Sequence, residues 1–89
     1  MTYKFHKRLD GVDFYAPSTN TNKKYDAYVN NKKYSFGDTR YEQYKDAIGY
    51  YKDLNHYDKK RRANYRARHK NDKLNEYSSG YFSYCYLWT

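Results

Sequence analysis

Residues 7–14 read KRLDGVDF, and this stretch decides how the chain begins to fold. Asp10-Gly11 is the pair that best tolerates the positive φ angles of a type I′ turn, so the spacing predicts a β-hairpin over residues 3–16. Pairing outward from the turn puts apolar side chains on one face of the hairpin and an ion pair on the other. The predicted register is Leu9 opposite Val12, Lys7 opposite Phe14 and Phe5 opposite Ala16, with Arg8 opposite Asp13.

A second hairpin is predicted over residues 24–36, around the pair Asn30-Asn31. Its apolar positions alternate with polar ones, which is typical of strands with one buried face. The link at residues 16–24, APSTNTNKK, carries the only proline of the chain and is predicted to be a loop. The pairs on the buried face are Tyr25 with Phe36, Ala27 with Tyr34 and Val29 with Lys32.

Helical spacing replaces strand alternation after Gly37. Thr39-x-x-Glu42 has the form of a capping box and predicts a helix over residues 40–53, weakened by Gly49. Asp58 can cap a second helix over residues 59–70, in which Ala63 and Ala67 form the one small face. The apolar C-terminal segment, YFSYCYLWT, fits either a strand or a helical turn. The predicted class is α+β, two N-terminal β-hairpins followed by two helices and this segment.

The composition describes one small domain, residues 1–89, with hairpins in 3–36 and the helical part and aromatic tail in 37–89. Only seven residues are Ile, Leu or Val, against fifteen tyrosines, so any core is built mainly from tyrosine. One cysteine, Cys85, excludes an internal disulfide, and no Cys or His spacing suits a metal or a cofactor. Tyrosine hydroxyls need partners, which favours a subunit completed by a larger assembly. The predicted anchors of the core are Phe36, Tyr41, Tyr44, Phe82, Leu87 and Trp88.

Positive charge is concentrated in residues 59–70, KKRRANYRARHK, which carry seven Lys or Arg and no acid in a chain of net charge +8. Such a block can meet phosphates or an acidic protein face, and Tyr57 and Tyr65 can stack on bases. Protein and nucleic-acid partners are both open at this point. His6 and His56 are expected at the surface, and Cys85 in the core, with no catalytic constellation. The candidate partner- or phosphate-binding residues are Lys59, Lys60, Arg61, Arg62, Tyr65, Arg66, Arg68, His69 and Lys70.

Three stretches carry a resemblance to a known family: FGDTRYEQYKD (36–46), HYDKKRRANYRARHK (56–70) and YSSGYFSYCYLW (77–88). Together they resemble small basic, tyrosine-rich proteins encoded by large eukaryotic DNA viruses and some phages. The block Arg61-Arg62, Tyr65, Arg68-His69 and the end Leu87-Trp88 are its most specific part. The resemblance covers about residues 24–88 and implies a viral origin.

We therefore expect a small virion-associated protein, such as a minor capsid component, that is not an enzyme. It would be found in the virion and, during production, in the host cell interior. Its expected partners are other virion or capsid proteins, which it would contact through the basic helix and its tyrosines. The alternative is a sequence-independent accessory protein that binds DNA or RNA. No apolar run is long enough to span a membrane.

Overall fold

A computed structural model of the protein describes residues 4–74 and 77–89. It confirms the α+β class, with two β-hairpins followed by two helices. The strands are β1 (Lys4–Leu9), β2 (Val12–Ala16), β3 (Tyr25–Val29) and β4 (Lys32–Phe36), and the helices are α1 (Lys59–Arg68) and α2 (Ser79–Leu87). One 3₁₀ turn, Lys52–Leu54, lies between β4 and α1, and another, Asp72–Leu74, lies between α1 and α2. Tyr3, the predicted start of the first hairpin, lies outside the described residues.

The four strands form one antiparallel sheet in the order β1-β2-β3-β4. Asp10 and Gly11 have φ of 52° and 77°, and Asn30 and Asn31 have 53° and 62°, as the two turn predictions require. The second hairpin has the predicted register throughout. Arg8 pairs with Asp13 at 2.7 Å, also as predicted.

One strand pair departs from the predicted register. A bulge at His6 shifts the strand, so Phe5 lies opposite Tyr15 and not Ala16. Because the shift is one residue, the Phe5 ring moves to the other face of the sheet, where it meets Tyr15 edge to face and is 53% exposed.

The core lies between one face of the sheet, α2 and residues 44–51. Phe14 is at its centre, with the rings of Tyr25, Phe36, Phe82 and Tyr86 all within 6.4 Å of its own, centroid to centroid. The C-terminal segment, which fitted either a strand or a helical turn, forms the helix α2. Ser78 caps its start, and the Ser78 hydroxyl accepts a hydrogen bond from Tyr81 N at 3.1 Å. The anchors Phe36, Phe82 and Leu87 are fully buried, while Tyr44 and Trp88 are half-buried.

The predicted helix over residues 40–53 is wrong, and with it the anchor Tyr41, which is 65% exposed. Asp46 explains the difference. Its carboxylate accepts hydrogen bonds from the backbone N–H groups of Ile48, Gly49 and Tyr51 at 2.8–3.0 Å, which fixes a turn instead of a helix. The Tyr25 hydroxyl, on strand β3, donates a hydrogen bond to the same carboxylate.

Buried amides hold the rest of this segment. Gln43, fully buried, donates to Asn55 Oδ1 at 2.7 Å and to Tyr51 O at 3.0 Å, and Asn55 Oδ1 also accepts from Asp46 N. Backbone bonds from Lys45 N and Ala47 N reach the carbonyls of Leu87 and Tyr86 in α2. The segment is thus ordered by side chain to backbone bonds and by α2.

Among the described residues, neither helix has the length and apolar character needed to cross a membrane.

Candidate functional site

Helix α1 carries most of the candidate residues, and its start is fixed by Asp58. The Asp58 carboxylate accepts hydrogen bonds from Lys60 N at 2.9 Å and Arg61 N at 3.1 Å, as the predicted cap requires. These bonds, that from Arg61 N first, lower the pKa of Asp58. Upstream, His56 Nδ1 accepts a hydrogen bond from Asp58 N at 2.9 Å, so the approach to the helix is also held.

The inner face of α1 is formed by Arg62, Tyr65 and Arg66, with His69 at its C-terminal end. Each of these residues is three or four positions from another of the set, so they share one face of the helix, and they are half-buried while the rest of the helix is exposed. The small face formed by Ala63 and Ala67 is exposed and lies opposite the inner face.

Two arginines attach α1 to aromatic rings. The Arg62 guanidinium lies 4.4 Å from the centroid of Tyr44, and that of Arg66 lies 5.5 Å from the centroid of Tyr84. Arg66 Nε also donates to the Tyr84 hydroxyl at 3.2 Å. Cation–π contacts of this kind stabilise a guanidinium group that has no acidic partner. Arg62 and Arg66 therefore stabilise the protein's own fold and are already engaged within it.

Tyr65 is at the middle of a stack of three rings. Trp88 lies on one side, with centroids 4.2 Å apart and planes 5° apart, and His69 on the other, 4.2 Å away and tilted by 23°. The Tyr65 hydroxyl donates to Ser83 Oγ at 3.2 Å. Both faces of Tyr65 are covered, so the expectation that it stacks on bases is wrong. His69 is also engaged, with Nδ1 3.1 Å from Asp72 Oδ2.

The outer face of α1 presents the remaining cations to solvent. Arg61 bonds to Glu42 at 3.0 Å, and both side chains stay about half exposed. Within the described ranges, the other four cations have neither an ion pair nor a side-chain hydrogen bond, so their charge is uncompensated. Ala63, Asn64 and Ala67, also exposed, form a thin stripe between them. These four cations are Lys59, Lys60, Arg68 and Lys70.

Tyr57 stands at the start of this surface. Its ring is 58% exposed, and its backbone has a φ of 55°, a conformation that is unfavourable for a residue with a bulky side chain. Tyr57 immediately precedes the helix cap, Asp58, and the lysines of the first turn, Lys59 and Lys60, follow in the sequence. Its exposed ring is compatible with the expectation that Tyr57 stacks on bases, which stays a prediction.

A cleft of about 490 Å³ lies beside α1, and the segments that carry the family resemblance meet in it. Gly37 has a φ of 76° and a Cβ there would come within 3.1 Å of Leu87 and Lys24, so a side chain does not fit. The acids of the lining have partners: Asp38 pairs with Arg40, Glu42 pairs with Arg61, and Asp72 contacts the His69 ring. This mixed charge makes the cleft a weaker anion site than the outer face of α1.

Lys24 is a buried charge that sequence reasoning missed. It is 1% exposed and donates from Nζ to Tyr41 O at 2.9 Å and to Gln43 Oε1. Burial lowers its pKa to about 8. Its position directly before β3, in the sequence KKYD (23–26), gave no signal of burial. Lys24 holds the loop after β4 against the sheet and is not available to a ligand.

Cys85 packs against the core, and burial raises the pKa of its thiol, which disfavours the reactive thiolate. His6 is exposed and meets Tyr50 edge to face. In the part of the chain that the structure describes, no three His, Cys, Asp or Glu side chains are grouped so that they could hold a metal ion.

The environment of His56 predicts acid sensitivity. Burial, followed by Arg61, lowers the pKa of His56. The unfolded chain, with a His pKa of about 6.5, therefore binds more protons as the pH falls below that value, and stability is lost in that direction. We expect this residue to cost at most about 1 kcal/mol at pH 5.5 relative to pH 7.5.

Thermal melts at the two pH values measure the effect. His56→Gln should reduce the difference in Tm, whereas His6→Gln, at an exposed position, should not. An unchanged difference in His56→Gln would show that protonation of this ring does not weaken the fold.

A scan against protein-family models, a search of curated proteins and a search of solved structures each found no match for this chain.

Proposed function

We propose that the protein binds nucleic acid without sequence preference, through the outer face of α1. The observation that carries the proposal is the set of four exposed, uncompensated cations on and next to one short helix. Such cations bind nucleic acid by neutralising its phosphates, which releases the counterions that the phosphates held. The two arginines on the inner face of α1, Arg62 and Arg66, already contact aromatic rings within the protein.

The order of residues around α1 suits a duplex groove. At about 100° per residue, Lys59 lies on one flank of the exposed face and Arg61 and Arg68 on the other. Between these flanks, Lys60 lies at the centre of the exposed face, among the small side chains Ala63, Asn64 and Ala67. A helix with side chains is about 10–12 Å across, and the major groove of B-DNA is about 12 Å wide.

Lack of sequence preference follows from the same surface. Phosphate contacts by Lys and Arg fix position but do not read bases. Asn64 is the one side chain on the thin stripe with the amide pair that can read a base edge. One such residue supports little discrimination, so affinity would come almost entirely from charge.

Membership in a virion stays a prediction, as does docking on an acidic capsid protein. A core of tyrosines that could be buried only against a partner would favour docking. Phe14, Tyr25 and Phe82 are instead fully buried within the chain itself. Mass spectrometry of purified particles would test virion membership, and the fraction in which the protein is found, shell or genome, would indicate its partner.

Salt dependence tests the proposal. If the four free cations contact phosphates, the slope of log K against log salt on double-stranded DNA should be about −4, since each contact contributes about −0.9. Replacing two of them, Lys60→Ala/Arg68→Ala, should reduce the magnitude of the slope by about two. Both side chains are exposed, so the Tm should stay within a degree or two of the parent.

A matched control removes the same charge from the sheet. Lys4 and Lys32 are exposed strand residues, and Lys4→Ala/Lys32→Ala should leave the slope unchanged. The proposal fails if the two double variants lower the slope equally, or if the parent binds DNA too weakly to measure at low salt. Loss of binding to an acidic protein, with DNA binding intact, would favour docking instead.

A further inference from the structure

A second cleft, of about 680 Å³, lies away from the outer face of α1. It is lined by residues of the loop at 44–52, by the C-terminal end of α2 and Thr89, and by one residue each of β1 and α1. Four cations from separate parts of the chain line it: Lys7, Lys45, Lys52 and Arg62. We call it the basic cleft.

No acid of the described lining forms an ion pair with these cations. Asp46 is the one Asp or Glu among the described lining residues, and it is 4% exposed. Its two oxygens already accept four hydrogen bonds, from three backbone N–H groups and the Tyr25 hydroxyl. Within residues 4–74 and 77–89, the three lysines make no ion pair. The cleft therefore gathers positive charge in a concave site, where field lines concentrate.

One of the cations is held in place before any ligand arrives, and a second lies against a glycine. The Arg62 guanidinium rests on the Tyr44 ring at 4.4 Å, and its Nη1 donates to Thr89 O at 3.2 Å. Lys52 lies across Gly49, whose φ is 102°, and a Cβ at Gly49 would be 3.3 Å from Lys52 Cε. A glycine is required there by the backbone, and it leaves room for the lysine stem. Held cations lose less entropy on binding than free ones.

We propose that the basic cleft binds a polyphosphate group, at a site separate from the outer face of α1. A linear triphosphate carries several charges over a length that lets it meet cations from different segments at once. Charge-assisted hydrogen bonds to phosphate from Lys and Arg are short and strong. The group could belong to inorganic triphosphate or to a nucleoside triphosphate, since the recognised chemistry is the same. This proposal does not depend on DNA binding by α1.

Isothermal titration with inorganic triphosphate and with ATP, in 100 mM NaCl, tests the site. We expect saturable one-to-one binding of both. Lys45→Ala/Lys52→Ala should weaken it by about a hundredfold, about tenfold for each lost contact. Equal affinities would identify the phosphates as the whole ligand, and tighter binding of ATP would add contacts from the nucleoside. Both lysines are exposed, and an unchanged Tm will show that the variant is folded.

The α1 variant Lys60→Ala/Arg68→Ala is the control, because it removes the same charge outside the cleft. It should bind triphosphate as the parent does, whatever its effect on DNA. The proposal is overturned if no saturable binding is seen, or if both double variants weaken it equally, which would mean a general charge effect.

Discussion

Replacing Asp46 by Ala is expected to lower the free energy of unfolding by about 4 kcal/mol, one of the largest effects of any single change in this chain. The carboxylate satisfies three backbone N–H groups and the Tyr25 hydroxyl in a site with almost no access to water. Alanine would leave these donors without a partner, and each unsatisfied buried donor costs about 1–3 kcal/mol. Urea unfolding followed by tyrosine fluorescence measures the loss.

Two variants show whether the loss comes from these bonds. Tyr25→Phe removes one of the four donors and should cost about 1–2 kcal/mol. Asp53→Ala removes a carboxylate from the same segment at an exposed position and should stay within about 0.5 kcal/mol. If Asp46→Ala is no more harmful than Asp53→Ala, the loop is held by its contacts with α2 and not by the carboxylate.

Asp46 also explains why this segment could not be predicted. Tyr41, Tyr44, Ile48 and Tyr51 have the spacing of an amphipathic helix, and the same spacing suits a loop that folds back on itself. Spacing reports which side chains share a face of a helix if a helix forms, but not whether a side chain competes for the backbone N–H groups. That competition depends on Tyr25, 21 positions away, which fixes the carboxylate.

The hairpins were predictable because their decisive residues are neighbours. Asp10-Gly11 and Asn30-Asn31 require positive φ locally, and the alternation on each side then sets the register. The bulge at His6 was not predictable, since no glycine or proline marks it. It shifts only the residues before His6, Lys4 and Phe5 among those described, at the exposed edge of the sheet.

The candidate site was predicted in part. The sequence located the basic helix and its cap, but it treated all the cations as equivalent. The structure divides them by partner, with Arg62 and Arg66 on aromatic rings and Lys60 and Arg68 in solvent. The rings of Tyr44 and Tyr84 are 18 positions from the arginines that they contact. Contacts over this separation do not appear in local sequence patterns, so the inner face could not be assigned.

Deletion of residues 81–89 is expected to abolish cooperative folding. The segment supplies three buried rings, those of Phe82, Tyr84 and Tyr86, and the buried side chain of Leu87. Three rings bury roughly 450–750 Å², which at about 25 cal/mol per Å² corresponds to about 11–19 kcal/mol as an upper estimate. That range matches or exceeds the entire stability of a typical domain, about 5–15 kcal/mol.

The sheet cannot replace what the deletion removes. One face of Phe14 and Phe36 is covered by Phe82, and the backbone of residues 45–47 is bonded to Tyr86 and Leu87. Without α2 the apolar face of the sheet meets water and Lys45 N and Ala47 N lose their acceptors. Circular dichroism during heating should then show no sigmoidal transition, whereas Leu74→Ala, at a side chain that is 76% exposed, should melt as the parent does. A truncated chain that still melts cooperatively would mean that the two hairpins fold on their own and that α2 is an addition to a complete core.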